Sequence, residues 1–370
     1  MSSFGSQSDA VEHDDGPSQT TDYFSKLFPE LRQKVYDYVF LSTRLTWGIR
    51  GVGTEPSDDV EIISKPNALA LLRVNRQINS EIGDKWLHKV LFNFEEPEAM
   101  LDVLTAIPRD TLSKIRHVRV RGEQVPLTYY EGVGDETFYP LTSALKLLPG
   151  LRLDQLTVLG GLDANQEYRA LSQLIEEGEG WKELRFISND SGILGFRLHN
   201  PNGTPDREFH RDLEPAHWRR CMKSRDGEDS DCSVTVYRAT VPAVLCAVIN
   251  PNIREVFEQL VPSQHIPMNP SCQEPDQNMM DPYEILKEVL VVVKRGEGVD
   301  YEVKEDSPYA ALDMRRALRG REWRDIRMES FYDIPQEDYP YSYEGSYDQL
   351  ILDEFDVYTD AEDYVWTRFR

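Results

Sequence analysis

Cysteine is scarce in this chain. The four present, Cys221, Cys232, Cys246 and Cys272, show no short repeated spacing, which argues against a disulfide scaffold and fits a reducing compartment. Long apolar runs are missing too. The longest, Val241 to Ile249, is interrupted by Pro242 and falls far short of a membrane span. The first residues are rich in Ser and Asp with no apolar stretch, so no secretory signal is read there. Two stretches toward the ends hold neither Lys nor Arg. Residues 1–25 carry five acids and no Lys or Arg, and residues 333–363 carry eleven acids and again none, within a net charge of −24. Acidic ends work against phosphate binding, so no nucleic-acid partner is expected, and no membrane. The expected location is cytoplasmic or nuclear.

Motifs of nucleotide and nucleophile chemistry are also lacking. Gly132-Val133-Gly134 has no third glycine and does not lead from a strand into a helix. There is no Gly-x4-Gly-Lys-Ser/Thr, no His-Glu-x-x-His and no Gly-x-Ser-x-Gly. His210, His217, Cys221 and Cys232 lie within 23 residues, and imidazole with thiolate suits tetrahedral zinc. Their spacings match no standard zinc knuckle, and neither cysteine has a near cysteine partner, so scattered His and Cys is the favoured account. The expectation is a chain with no catalytic residue, no cofactor and no metal ligand, and not an enzyme.

What is present is a globular composition, 40% hydrophobic and 10% aromatic, in a chain long enough for one large domain or two ordinary ones. Residues 1–22 read as a disordered acidic segment. A helix is expected over about 28–41, then two short strands within 45–63 around a Gly/Pro/Asp-rich turn. A second helix follows, capped by Asn67, with Leu71, Val74, Ile78, Ile82 and Trp86 as its stripe, and a strand at 90–94. In the first helix Leu31, Val35 and Tyr38 recur on one face with Val39 beside them, and the two stripes are expected to pack together.

Beyond residue 94 helix and strand alternate. Helices are read at 97–104, 141–148 and 168–175, and strands at 115–120, 153–159 and 184–187. Helix-then-strand units imply parallel strands with crossovers. The fold class is therefore α+β or α/β, either as an irregular leucine-rich-repeat-like curved sheet or as a compact α/β sheet. Residues 190–232 read as a large, mobile excursion within an interaction domain over 95–332. Strands are expected at 233–238 and 288–294, one or two helices over 242–260, a loop over 262–282 and a helix near 308–328. That last helix carries six arginines, Arg315, Arg316, Arg319, Arg321, Arg324 and Arg327, and buries Ala311, Met314 and Leu318. The acidic, tyrosine-rich tail over 333–370 is expected to fold back on it through Arg–carboxylate pairs.

One stretch carries a family resemblance. Leu27-Phe28-Pro29-Glu30-Leu31, then Val35 and Tyr38-Val39-Phe40, resembles the first helix of an F-box, and Leu71-Leu72-Arg73-Val74-Asn75-Arg76-Gln77-Ile78 resembles a later F-box helix. Residues 23–94 as a whole are similar to the F-box-like proteins common in filamentous fungi, where a long insert separates the helices. Here that insert is Ser42 to Pro66. The resemblance implies a substrate-recognition subunit for a cullin–RING ubiquitin ligase. Leu27, Phe28, Pro29, Leu31, Val35 and Tyr38 would contact the Skp-type adaptor, and the remainder of the chain would select a protein substrate. The alternative is an intracellular interaction or structural module that keeps the helical pair as a folding element. An undescribed enzyme or a zinc-binding protein is a third class.

Deleting residues 333–370 should lower the melting temperature if the tail docks. An unchanged value would count against docking.

Overall fold

The computed structural model describes residues 24, 26–51, 59–62, 69–128, 136–160, 164–189, 191–194, 214–244, 247–258, 282–308, 312–318 and 320–331. The N-terminal 22 residues, Asn67, Gly132 to Gly134, His210, Ala311, Arg319, the loop up to residue 281 and the 333–370 tail lie outside the described residues.

The chain begins with α1 (Pro29–Leu41), β1 (Arg44–Gly51), β2 (Asp59–Ile62), α2 (Arg76–Ile82) and β3 (Leu91–Phe94). There follow α3 (Pro97–Leu104), α4 (Arg109–Leu112), β4 (His117–Arg121), the hairpin β5 (Val125–Thr128) and β6 (Glu136–Tyr139), and α5 (Leu141–Leu145). Next come β7 (Leu153–Leu159), α6 (Ala164–Glu177), β8 (Trp181–Ser188), α7 (Ala216–Asp226), β9 (Ser233–Ala239) and β10 (Arg254–Phe257). The described part closes with α8 (Pro282–Ile285), β11 (Val289–Lys294), α9 (Met314–Leu318) and α10 (Trp323–Phe331).

Nine strands form one sheet in the order β2-β1-β3-β4-β7-β8-β11-β9-β10. From β1 to β8 all neighbours are parallel and follow chain order, whereas β2, β11, β9 and β10 pair antiparallel. The class expected from the sequence, α+β or α/β, is what the structure shows, as helices with a mixed sheet. Alternation within each strand sends every second side chain to one face. The register aligns Phe92, Val118, Leu156, Leu184, Val293 and Val234 in one row, and Phe94, Val120, Val158, Phe186, Val291 and Val236 in the next. These rows share a core with Met100, Leu101 and Leu104 of α3, Leu141 and Leu145 of α5, Leu171, Leu174 and Ile175 of α6, and Trp218 and Met222 of α7. The crossovers therefore lay their helices on one face of the sheet. On the other face a smaller cluster unites Leu159, Ile187 and Leu290 with the turn Ala247–Ile249.

Several local readings need correction. The second helix is not continuous from 71 to 86. A 3-10 turn at Ala70–Arg73 precedes α2, whose N-cap is Asn75, its Oδ1 accepting from the Ile78 N–H at 2.8 Å. Gly83, at φ 50°, ends the helix in a conformation that other residues rarely adopt. The excursion over 190–232 contains α7, which buries Trp218 and Met222 completely. Within 242–260 there is no α-helix among the described residues. A 3-10 turn and the edge strand β10 take its place. The helix near 308–328 is two, α9 and α10, separated at Gly320 with φ 81°. Met314 and Leu318 are buried as expected.

The core cluster runs from Tyr36 to Ile326, and β1 with β3 belongs to the same sheet as the rest. The sheet and the core therefore cross the boundary drawn at residue 94. Two of the arginines near the C-terminal end find partners within the body. Arg315 chelates Asp313, with Nη2 to Oδ2 at 2.7 Å, and Arg327 meets Asp102 at 3.0 Å beside the Trp323 indole, which donates to the same carboxylate. Among the described residues, no helix is long and apolar enough to cross a membrane.

Leu156 sits at the centre of the first apolar row and is fully buried, whereas Asp154 two residues earlier is exposed. Leu156→Ala should cost about 2–5 kcal/mol in denaturant unfolding, and Asp154→Ala less than about 0.5 kcal/mol. Equal effects would contradict the burial of Leu156 at the centre of the row.

Candidate functional site: the outward face of the first helix

Helix α1 turns its apolar stripe away from the protein. Its buried residues are Arg32, Tyr36 and Phe40, at i, i+4 and i+8. This differs from the expectation that Leu31, Val35 and Tyr38 pack against the second helix. All three are exposed, Leu31 at 46% and Tyr38 at 55%. Leu27, Val39 and Phe28 are exposed with them, Phe28 at 74%, as is Pro29. Val74, in the turn that precedes α2, is exposed as well.

The orientation of α1 has a polar cause. Arg32 donates from Nε and Nη2 to the two carboxylate oxygens of Glu81 on α2, at 2.9 and 2.6 Å. The Tyr36 hydroxyl donates to the same carboxylate at 2.8 Å, and Gln77 adds a bond at 2.9 Å. A bidentate Arg–carboxylate pair fixes angle as well as distance, so α1 is held against α2 with one rotation about its axis. Arg32 Nη1 also donates to the Leu27 carbonyl, which ties down the apolar lead-in to the helix. These donors, Arg32 first, hold the Glu81 carboxyl down at about 2, from an ordinary 4.5. Phe40 lies in the main core, and the ring of Phe24 lies 5.9 Å from that of Tyr36. On the sheet side Trp47 of β1 stacks on Phe92 and Phe94 of β3, at 5.8 and 5.3 Å.

The N-terminus of α1 adds a second oddity. Phe28 occupies the N-cap position, makes no side-chain capping bond, and presents its ring to solvent. Ser, Thr, Asp or Asn at such a position would stabilise the helix by roughly 1 kcal/mol. An apolar face exposed on one helix, with aromatic rings at Phe28 and Tyr38, has the chemistry of a protein-docking surface.

The six residues named from the sequence, Leu27, Phe28, Pro29, Leu31, Val35 and Tyr38, thus share one exposed surface. What the sequence reading missed is the clamp that turns them outward, because Glu81 lies 49 residues from Arg32. Of the suspected zinc ligands, His217 and Cys221 lie one turn apart on α7. Cys232 is a half-buried free cysteine outside their cluster.

Comparison of the chain with family models, curated proteins and solved structures found no match in any of the three.

The depressed Glu81 value carries a pH signature. A carboxylate held below its unfolded value stabilises fully above about 4.5, and the contribution fades as pH falls toward 2. Urea midpoints of wild type and Glu81→Gln should therefore differ at neutral pH and converge between pH 5 and about 2. A gap that stayed constant through that window would rule out the clamp.

Proposed function

We propose that the chain is a non-catalytic recruitment protein whose α1 face docks on a Skp-type adaptor of a cullin–RING ubiquitin ligase, while the remainder selects a protein substrate. The observation that carries the reading is the outward apolar face of α1, locked by Arg32 and Tyr36 onto Glu81. An exposed apolar stripe is costly in a solitary protein, and a polar clamp that enforces its exposure fits a surface kept for a partner. The F-box resemblance of these same residues names the partner class. Catalysis would then belong to the partner subunits of the ligase.

A second reading has its own support. The insert between the helices supplies β1 and β2, and β1 runs parallel to β3 within the sheet. The helical pair is thus built into the fold, as an interaction protein with a different partner would also have it.

Because Leu31 and Val35 are exposed, Leu31→Asp with Val35→Asp should leave the melting temperature nearly unchanged. The same double substitution should weaken capture of the purified adaptor by the full-length chain by roughly a hundredfold or more. No capture by the wild type, or equal capture by both proteins, would defeat the adaptor reading.

A further inference from the structure

Helices α6 and α7 bring three donors of different chemistry together. His217 Nε2 and Cys221 Sγ, one turn apart on α7, lie 3.8 Å from each other. Glu176, near the end of α6, places Oε1 3.8 Å from Cys221 Sγ and 3.8 Å from His217 Nε2. The three atoms form a nearly equilateral triangle. Around a tetrahedral zinc, with bonds of about 2.0–2.3 Å, such donors stand about 3.3–3.6 Å apart. Closing the triangle on an ion needs movements of only a few tenths of an ångström.

We propose that Glu176, His217 and Cys221 form a zinc site with its fourth coordination position open to solvent. Nitrogen, thiolate and carboxylate donors together suit zinc better than the hard cations, which take oxygen alone. His217 and Cys221 are half-buried and Glu176 is exposed, so the ion has a path of approach. The three line one shallow concavity with Arg220, Ser224 and Arg225.

The helices that carry the donors are held together by contacts the donors do not make themselves. Arg225, one turn beyond Cys221, donates to the carbonyls of Ile175 at 2.7 Å and of Gly178, on either side of Glu176. The Trp218 indole donates to Ser172 Oγ of α6 at 3.1 Å, and the Tyr168 hydroxyl of α6 donates to Glu214 just before α7 at 2.9 Å. The two helices are thus fixed to each other on both sides of the triad. Such a site is organised before the ion arrives, and little ordering remains to oppose binding. It owes nothing to the docking face of α1, and its failure would leave that reading untouched.

The test uses the untagged full-length chain, stripped of metal by a chelator and titrated with cobalt(II) alone. One equivalent should give the ultraviolet charge-transfer band of a cobalt–thiolate bond and the visible bands of a four-coordinate ion, both abolished by added zinc. C221S should remove the charge-transfer band, and C232S should leave it at full strength. E176Q alters an exposed carboxylate and should weaken cobalt binding by roughly ten- to a hundredfold without changing the melting temperature of the metal-free protein. No thiolate band in the wild type would overturn the site. So would a band that survives C221S, one that is lost with C232S, or affinity unchanged in E176Q.

Discussion

Two apolar rows on one face of a nine-stranded sheet are the constraint on which the rest of the molecule depends. Each row crosses six strands in register, and water must be kept from both. Because the parallel strands follow chain order, each crossover returns to a strand beside the one it left. The intervening helices α3, α5 and α6 are delivered in turn to the same face, and α7 extends their layer. The opposite face is closed differently, by a 3-10 turn over Leu159, Ile187 and Leu290. One sheet thus serves two covers of unequal size.

At the β1–β3 end the same constraint acts with less apolar material. Helix α1 gives the core Phe40 and the ring of Tyr36, then completes its inward stripe with Arg32. A buried guanidinium is tolerated only when paired, and Glu81 supplies a bidentate partner. Polar pairing thereby fixes the rotation that the burial of Phe40 and Tyr36 also requires. Had Leu31, Val35 and Tyr38 faced inward, the rings of Tyr36 and Phe40 would have met water in their place.

That reversal explains what could and could not be read from the sequence. Period and composition sufficed where one face is plainly apolar. Residues 97–104 and 153–159 form the expected helix and strand with the expected limits, and the hairpin within 45–63 is present as β1 and β2. They failed where burial is carried by few residues. Helix α7 has only Trp218 and Met222 inside, among arginines, lysine and aspartate, so its segment looked like an excursion. The run from Val241 to Ile249 is apolar enough for a helix, yet Ala247 to Ile249 make only a cap over the second cluster. In α1 the period was right and the direction wrong, since direction depends on a residue far along the chain. Glu176 was invisible for the same reason. It stands 41 positions before His217, and no spacing rule connects the two.

Sites assembled from distant residues share a physical logic here. Arg32 with Glu81, and Arg225 with the carbonyls of Ile175 and Gly178, each join two helices through polar groups at the margin of an apolar core. Apolar contacts set helices side by side but tolerate sliding and rotation by small amounts. Hydrogen-bonded charge pairs do not, because a shift of one ångström forfeits most of their geometry. Placing such pairs where a helix meets solvent fixes which side chains the helix shows. For α1 the side chains shown are apolar, and on that surface the proposed docking rests.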